Sequence, residues 1–249
     1  MPYRRTENVV RRLAEREQTI LDAAQSIASE SGMGAVQIAP VAHRADIAAG
    51  TVYRYFPSKN NLIAEVIASA AGRELAAMRA AADAAPGPLS ALAACIATFA
   101  VRALNDRRLT WAVLAEPVDA NIDALRVEFR RAIASELAWR INVAITGGHL
   151  PDQDARAAAP AIVGALLEGL IGPLASPGSN AREAVQTITL LSLRALGVVD
   201  ARARGLVAQC PLPQNPSATS APAPSCSTEG CGSHRPAPSR AAANGRRFP

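Results

Sequence analysis

The apolar residues of this chain recur with the 3.6-residue period of amphipathic helices over most of its length. No stretch shows the sustained alternation of apolar and polar residues that a half-buried strand requires. Because hydrophobic periodicity decides which element can bury its apolar face, the pattern predicts an all-α protein. The chain has 249 residues, of which 49% are hydrophobic, so it is long enough to bury a substantial core.

Glycine and proline signals divide this periodic region into nine predicted helices. Gly32 ends the first helix, and the pair Gly147-Gly148 ends the seventh. The predicted helices cover residues 12–31, 38–44, 48–54, 58–84, 89–105, 108–116, 121–146, 152–174 and 180–197. We therefore expect an N-terminal domain of three helices over residues 1–62 and a C-terminal domain of six helices over residues 63–207.

Residues 208–249 differ in composition from the rest of the chain. From residue 211 onward Pro, Ala, Ser and Gly dominate. We expect a disordered tail, because such a segment cannot bury enough apolar surface to offset its ordering entropy. We interpret its Cys226, Cys231 and His234 as incidental, because a structural metal site needs four ligands and usually a tighter spacing. The sequence therefore predicts no metal and no cofactor.

The charge balance of the chain is weakly basic. Its 26 Lys and Arg residues stand against 21 Asp and Glu residues, which gives a net charge of +5. The excess lies in residues 1–62 and 208–249, while residues 63–207 are neutral overall. This distribution suits a modest binder of polyanions and argues against a histone-like protein.

Membrane insertion and export are not predicted. Asp152, Pro160, Glu168 and Pro173 interrupt the longest apolar runs considered, which fall short of the roughly 18 to 20 residues that a span needs. The N-terminal segment is charged and lacks an apolar stretch followed by a cleavage site. We expect a cytoplasmic protein with no membrane contact.

Two short predicted helices and the tight turn between them form a helix-turn-helix pattern. The turn falls at Ala45-Asp46-Ile47, and the second helix of such a motif enters the major groove of DNA. The stretch GTVYRYFPSKNNL, residues 50–62, follows this turn. It resembles the signature of the TetR (tetracycline-repressor) family of transcriptional regulators, and the similarity extends over about residues 15–66. The resemblance implies a DNA-binding N-terminal domain and a C-terminal domain for ligand binding and dimerisation.

The residues of this stretch also make physical sense without the resemblance. Val52 and Phe56 lie four residues apart and should pack inward against Val41 and Ile47. The small residues Ala48-Ala49-Gly50 begin the second helix and let its backbone approach a DNA groove closely. Departures from the family pattern are Asp46 in place of a turn glycine and the absence of Ser or Thr caps at positions 37 and 48.

The resemblance assigns roles to seven residues of the motif. Ala49, Gly50 and Tyr53 would lie along base edges. We expect Arg54 and the basic N-terminal segment of residues 3–12 to supplement them, the segment as an arm near a minor groove. Gln37, Thr51, Tyr55 and Lys59 would contact the phosphate backbone, and Lys59 is the only lysine of the chain. The implied partner is double-stranded DNA with an inverted repeat, bound by a homodimer.

The two last predicted helices are the candidates for a dimer interface. Helix 152–174 is apolar nearly all round, which one subunit does not easily cover. The alternative is a helix buried centrally within one subunit. The predicted interface residues are Ile162, Leu166, Leu167, Leu170, Ile188 and Leu191.

A small-molecule effector is the other partner that the resemblance implies. Large or polar residues on otherwise aliphatic helices are the candidates for its pocket, and an aliphatic or acyl compound suits such a pocket better than a flat aromatic one. The predicted pocket residues are Met78, Phe99, Arg102, Trp111, Phe129, Trp139 and Asn142, with Glu116 and His149 as weaker candidates.

Two other functional classes are disfavoured. An enzyme needs a convergent set of catalytic groups, and outside the helix-turn-helix the body has only Cys95 and His149 of the usual nucleophilic and basic types. A non-specific architectural DNA binder would carry far more charge than +5 and would need no large neutral helical domain. The function that the resemblance implies therefore remains favoured, namely a homodimeric repressor that a small apolar ligand releases from DNA.

Overall fold

The computed structural model describes residues 7–118, 120–175 and 180–210. Within these ranges the protein is all-helical, as the periodicity predicts, with ten α-helices and no strand. The helices are α1 Glu7–Ser31, α2 Ile38–Arg44, α3 Ala49–Tyr55, α4 Lys59–Asp83, α5 Pro88–Asn105, α6 Arg107–Leu114, α7 Ala120–Thr146, α8 Ala155–Leu166, α9 Ala181–Ala195 and α10 Asp200–Gln209. A 3₁₀ turn follows α1 at Met33–Ala35, and a π-helical turn extends α8 over Leu167–Ile171.

Helices α1 to α3 form the N-terminal module. Ile20, Ala24 and Ile27 are buried on one face of α1 and pack in the core with residues of α2 and α3. Gly32 ends α1 with φ 85°, a left-handed conformation that glycine adopts without steric cost. Helix α1 begins five residues earlier than expected, so Arg11 and Arg12 are helical and not part of an extended arm. Residues 1–6 lie outside the described ranges.

Helix α5 is the centre of the C-terminal body. It packs against α4, α7 and α9, and most of its side chains are buried. By length and composition it is the one described helix that could cross a membrane, but 61% of its residues are buried inside the protein. A core helix of a soluble protein passes the same test, so α5 is weak evidence for a membrane span.

A buried ionic network joins α4 to α7. The Glu136 carboxylate accepts hydrogen bonds from Arg79 Nε at 2.7 Å and from Arg140 Nε at 2.9 Å. Arg140 also donates to Asp83 at 2.8 Å, and Glu136 and Arg140 are both buried. Each buried charge thus has an opposite partner, which offsets the cost of removing it from water.

Helix α8 is shorter than the sequence predicts. Asp154 accepts a hydrogen bond from the Arg156 amide at 2.8 Å and begins the helix at Ala155. After Leu166 the chain widens into the π-helical turn, which ends at Gly172. The predicted helix of residues 152–174 is therefore replaced by a capped helix and a single π turn.

The six predicted dimer-interface residues differ in exposure. Five of them are buried within the single subunit, where α8 packs on α7 and α9 packs on α5. These five residues are Ile162, Leu166, Leu167, Leu170 and Ile188, whereas Leu191 is 52% exposed. The outer face of α8 carries small exposed residues, so the number of apolar residues in the sequence does not show which face of the helix is covered.

Helix α10 has no counterpart in the sequence prediction. Its sequence is arginine-rich and weakly amphipathic, but Ala203 and Val207 are buried where it packs on α9 and α5. Asp200 at its start pairs with Arg204 and with Arg194 of α9. The predicted start of the tail at residue 208 therefore falls inside a helix. Residues 211–249, with Cys226, Cys231 and His234, lie outside the described ranges.

Candidate nucleic-acid interface and ligand cavity

A tight turn connects α2 to α3 and sets the angle between them. The Ala45 amide donates to the Val41 carbonyl at 2.9 Å, and the Ile47 amide donates to the Ala42 carbonyl at 3.0 Å. Asp46 has φ 51°, the left-handed conformation that aspartate tolerates better than most residues. Buried Val52 and Phe56 complete the packing, so the predicted helix-turn-helix is present.

The motif residues assigned to DNA lie mainly on the surface. Tyr53 is 52% exposed although it is a large aromatic residue, and Arg54 beside it is exposed. Tyr55 differs, because its ring is half-buried and packs against the core. The other five residues are exposed or half-buried: Gln37, Ala49, Gly50, Thr51 and Lys59.

The helix starts of the motif are capped unequally. The Ser58 hydroxyl accepts a hydrogen bond from the Asn61 amide at 3.1 Å, so Ser58 caps α4 and places Lys59 in its first turn. Ala48 gives α3 no side-chain cap, and Gln37 gives none to α2. Gln37 Nε2 donates instead to the Gly34 carbonyl at 3.1 Å. The start of α3 therefore leaves backbone N–H groups without protein caps, a favourable environment for an anion.

Gly50 has no structural need to be glycine within this chain. A Cβ atom added there would meet no other atom within 4 Å, and its backbone has an ordinary helical conformation. Glycine in a helix costs about 0.5–1 kcal/mol relative to alanine. The missing side chain leaves open space beside the α3 backbone.

Two hydrogen bonds connect α1 and the following turn to the ends of α6. The Ser29 hydroxyl donates to Asp106 Oδ2 at 2.7 Å, while Asp106 Oδ1 accepts from the Leu109 amide and caps α6. At the other end, the Met33 amide donates to Glu116 Oε2 at 3.0 Å. Helix α6 is thus bonded at both ends to the segment that carries the helix-turn-helix. Sequence reasoning did not identify the Ser29–Asp106 contact, which joins residues 77 positions apart.

A cavity of about 280 Å³ lies among α4, α5, α6 and α7. One part of its wall is polar, with Arg73, Glu74 and Arg102, and another part is apolar, with Phe99 and Phe129. Asp106, which caps α6, also lines it. The cavity therefore adjoins the helix that is bonded to the N-terminal module.

An ion pair organises the polar part of this cavity. Arg102 Nε donates to Glu74 Oε2 at 2.7 Å. The Glu74 side chain is only 14% exposed, and burial raises the pKa of its carboxyl while Arg102 opposes this shift. Oε1 of Glu74 is buried and has no hydrogen-bond partner among the described residues.

The predicted pocket residues separate into five environments. Phe99, Arg102 and Phe129 come together in the cavity. Met78 is fully buried in the core, and Trp111 lies in an open cleft beside Arg107 and Arg108 on another side of α6. Glu116 is half-buried and accepts the hydrogen bond from the Met33 amide. The other three candidates, Trp139, Asn142 and His149, are exposed and line none of the described cavities.

The exposed ring of Trp139 has a neighbour that accounts for its position. The Arg140 guanidinium lies 4.4 Å from the centre of the Trp139 ring, and 54% of the tryptophan is exposed. The ring therefore covers the buried ionic network from the solvent side. Its large apolar surface made it a pocket candidate in the sequence, but α7 points it away from the cavity.

The two residues of the helical body that sequence analysis considered for catalysis, Cys95 and His149, lie in different environments. Burial raises the pKa of the Cys95 thiol to about 12, so this cysteine is not a nucleophile at neutral pH. His149 is exposed at the end of α7. Among the described residues no group of three or more His, Cys, Asp or Glu side chains could hold a metal ion.

Comparison with known proteins agrees with the geometry of the N-terminal module. The model of the family "bacterial regulatory proteins, tetR family" matches residues 20–66. Over 69 residues, 28% of this chain, the sequence is 52% identical to the HTH-type transcriptional repressor KstR of Mycobacterium tuberculosis. The matching segment spans 30% of the length of that relative.

Solved structures with low sequence identity share the fold of the larger part of the chain. FadR from Bacillus subtilis, solved in complex with stearoyl-CoA, superposes with a TM-score of 0.64 over 73% of this chain and 98% of that one, at 19% identity. RolR in complex with resorcinol superposes with a TM-score of 0.59 over 82% of this chain and 99% of that one, at 22% identity. The chain therefore has an N-terminal helix-turn-helix segment that matches the tetR family of bacterial regulatory proteins over residues 20–66, and its α-helical body shares the fold of these solved structures.

Proposed function

We propose that this protein is a cytoplasmic, homodimeric transcriptional repressor that binds an inverted-repeat DNA operator and is released by a small apolar ligand. The observation that carries the proposal is the double connection of α6, which lines the cavity and is bonded to the helix-turn-helix segment through Ser29 and Met33. The N-terminal segment is 52% identical to a repressor, which supports repression over activation.

DNA binding through α3 rests on its exposed face. Tyr53 and Arg54 present an aromatic ring and a cation next to the side-chain-free position Gly50. Lys59 adds a positive charge at the start of α4, where the helix dipole also favours a phosphate. In a two-fold dimer, two such helices read half-sites about one DNA turn apart, roughly 34 to 36 Å, or a multiple of it.

Tyr53→Ala and Lys59→Ala should affect DNA binding differently. We expect Tyr53→Ala to reduce the binding free energy for the operator by about 1 to 3 kcal/mol, because the ring is assigned to base edges. The binding free energy for scrambled DNA should change little. We expect Lys59→Ala to weaken binding to both DNAs and to lower the slope of log K against log salt by about 0.9. Titration of both variants on operator and scrambled DNA at several salt concentrations measures this. An unchanged operator preference in Tyr53→Ala would refute its assigned role.

Gly50→Ala should stabilise the protein and weaken its DNA binding. Its new methyl group meets open space in the free subunit, so we expect a gain of about 0.5–1 kcal/mol in the free energy of unfolding. The same methyl group would collide with a DNA surface that approaches α3. Urea unfolding and operator titration measure the two effects. Gly205→Ala is the matched control, because Gly205 also lies in a helix with open space around it but far along the chain, in α10. If both variants bind the operator with equal affinity, DNA does not approach the α3 backbone closely at Gly50.

Dimerisation is assigned to the outer faces of α8 and α9. Small residues lie at helical spacing on the outer face of α8, where Ala157, Ala161 and Gly164 are exposed. Gly164 has open space around it, so a second helix can approach α8 closely there. On α9, Leu191 is 52% exposed, and a large aliphatic side chain at such a position favours a partner surface. Of the six predicted interface residues, Leu191 is the one whose side chain is exposed and can contact a partner subunit.

Ligand release follows from the position of Asp106. This carboxylate lines the cavity, caps α6 and accepts the hydrogen bond from Ser29. A ligand that binds more tightly when α6 has shifted would also change the position of α1 and thereby the spacing of the two reading heads. The experiment that tests the proposal is operator release by a panel of small apolar compounds, with melting temperature as the independent measure of binding. Compounds that bind without releasing the operator would overturn the regulatory part of the proposal.

A further inference from the structure

We infer that the cavity among α4 to α7 takes a compact ring compound with a hydroxyl group, whose hydroxyl donates to the Glu74 carboxylate while Phe99 and Phe129 contact the ring. The inference rests on the proposed function, because it names the class of ligand that would occupy the effector cavity. It differs from the sequence-based expectation of an aliphatic or acyl compound, because the cavity is small and is lined by two phenylalanine rings.

The size of the cavity limits the ligand to a compact body. Its volume is about 280 Å³, slightly below the roughly 300 to 1,000 Å³ of pockets that bind drug-sized ligands. A cavity of about 150 Å³ is enough to bind benzene in a protein interior. One ring with its substituents therefore fits within this volume.

The apolar wall favours a ring over an open chain. Phe99 and Phe129 line this one cavity, although the whole chain has only four phenylalanines. Both are buried and are held by the core, so their rings are fixed in place. Aromatic side chains pack favourably on another ring in offset or edge-to-face geometry.

The polar wall favours a ligand with an uncharged hydrogen-bond donor over a charged ligand. Glu74 and Asp106 balance Arg73 and Arg102 among the lining residues, so the wall has no formal net charge. Glu74 Oε2 is already bonded to Arg102, but Oε1 has no partner among the described residues. A buried acceptor without a partner costs free energy, and a ligand hydroxyl recovers it when the Glu74 side chain turns Oε1 toward the cavity that this residue lines. Arg73 is not free for this purpose, because it donates to Ser69 and to Gln25.

Phenol, resorcinol and toluene are the probes that test the inference on the full-length protein. We expect phenol and resorcinol to bind in titration calorimetry without DNA and to raise the melting temperature. Toluene has a similar ring and no hydroxyl, and we expect it to bind about tenfold more weakly, the effect of one hydrogen bond to a charged acceptor. Equal affinity for phenol and toluene would overturn the role of the hydroxyl. An absence of binding by all three probes would overturn the assignment of the cavity.

The variant Glu74→Gln separates the hydrogen bond from the shape of the cavity. We expect this variant to bind phenol about tenfold more weakly and toluene with unchanged affinity. The reason is that the amide keeps the size of the side chain but is a poorer hydrogen-bond acceptor than the carboxylate. Glu65→Gln is the matched control, since Glu65 lies on the same helix and is exposed. The melting temperature without probe shows that each variant is folded. If Glu74→Gln lowers the affinities for phenol and toluene equally, Glu74 does not accept a hydrogen bond from the ligand hydroxyl.

Operator release is measured separately so that the two proposals can fail independently. If the hydroxylated rings bind but the operator remains bound, the ligand inference holds and the proposed regulatory function fails. If other compounds release the operator while phenol and resorcinol do not bind, the regulatory function holds and the ligand inference fails.

Discussion

Leu191→Arg should convert the protein into monomers and reduce its operator affinity about 10² to 10⁴-fold. Leu191 is 52% exposed on α9, within the surface that we assign to contact with the partner subunit. An arginine there would place an unpaired charge in an apolar contact. Because two linked half-sites raise overall affinity by this factor without any new contact, the separated subunits lose it.

Sedimentation velocity and operator titration measure the two parts of this prediction. Leu125→Arg is the matched control, because Leu125 is also an exposed leucine but lies on α7. We expect this control to remain dimeric and to bind the operator normally. Unchanged dimers in Leu191→Arg would remove α9 from the interface. Changing Leu167 is a poorer test than the sequence implies, because Leu167 is buried within the subunit and an arginine there would disturb folding first.

Arg126→Met should lower the free energy of unfolding by about 2 to 3 kcal/mol, the size of hydrogen bonds that involve a charged group. The side chain of Arg126 is buried, and its guanidinium donates twice to the Ala112 carbonyl near the end of α6, at 2.7 Å and 3.2 Å. It also pairs with Asp123 at 2.9 Å. Burial lowers the pKa of Arg126, and these partners oppose the shift. Methionine keeps much of the volume but leaves the Ala112 carbonyl without its donor.

Urea unfolding at fixed protein concentration measures this loss. The control is Arg131→Met on the same helix, because Arg131 is exposed and forms only a surface ion pair with Glu128. Such pairs contribute about 0 to 1 kcal/mol. Equal destabilisation by the two variants would show that the buried hydrogen bonds to α6 do not stabilise the fold. We also expect Arg126→Met to weaken the response to ligand, since it releases the end of α6 that lies next to Glu116.

The helices of the N-terminal module follow from sequence signals that act within a few residues. Ser58 caps α4 through an amide three positions away, and Asp46 supplies the left-handed turn between α2 and α3. Val52 and Phe56 bury one face of the recognition helix at the expected spacing. These are short-range effects, so the residue types alone specify them.

The cavity was predicted only in part, because its polar partners are set by packing. Phe99, Arg102 and Phe129 were candidates as large or polar groups on aliphatic helices, and they do meet. Trp139 satisfied the same criterion but lies on the solvent side of α7. Composition cannot tell these cases apart, since the direction of a helical side chain depends on which neighbours cover each face.

Periodicity, caps and turn residues act locally, so the residue types specify the helical class, most helix boundaries and the helix-turn-helix motif. The tertiary structure determines which apolar faces are covered within one subunit, so that Leu167 is a core residue while Leu191 is exposed. It also decided that α6 is bonded to the N-terminal module, through Ser29–Asp106 and Met33–Glu116, across 77 and 83 positions. Contacts at such separations depend on how all the helices pack together, and no local spacing in the sequence encodes them.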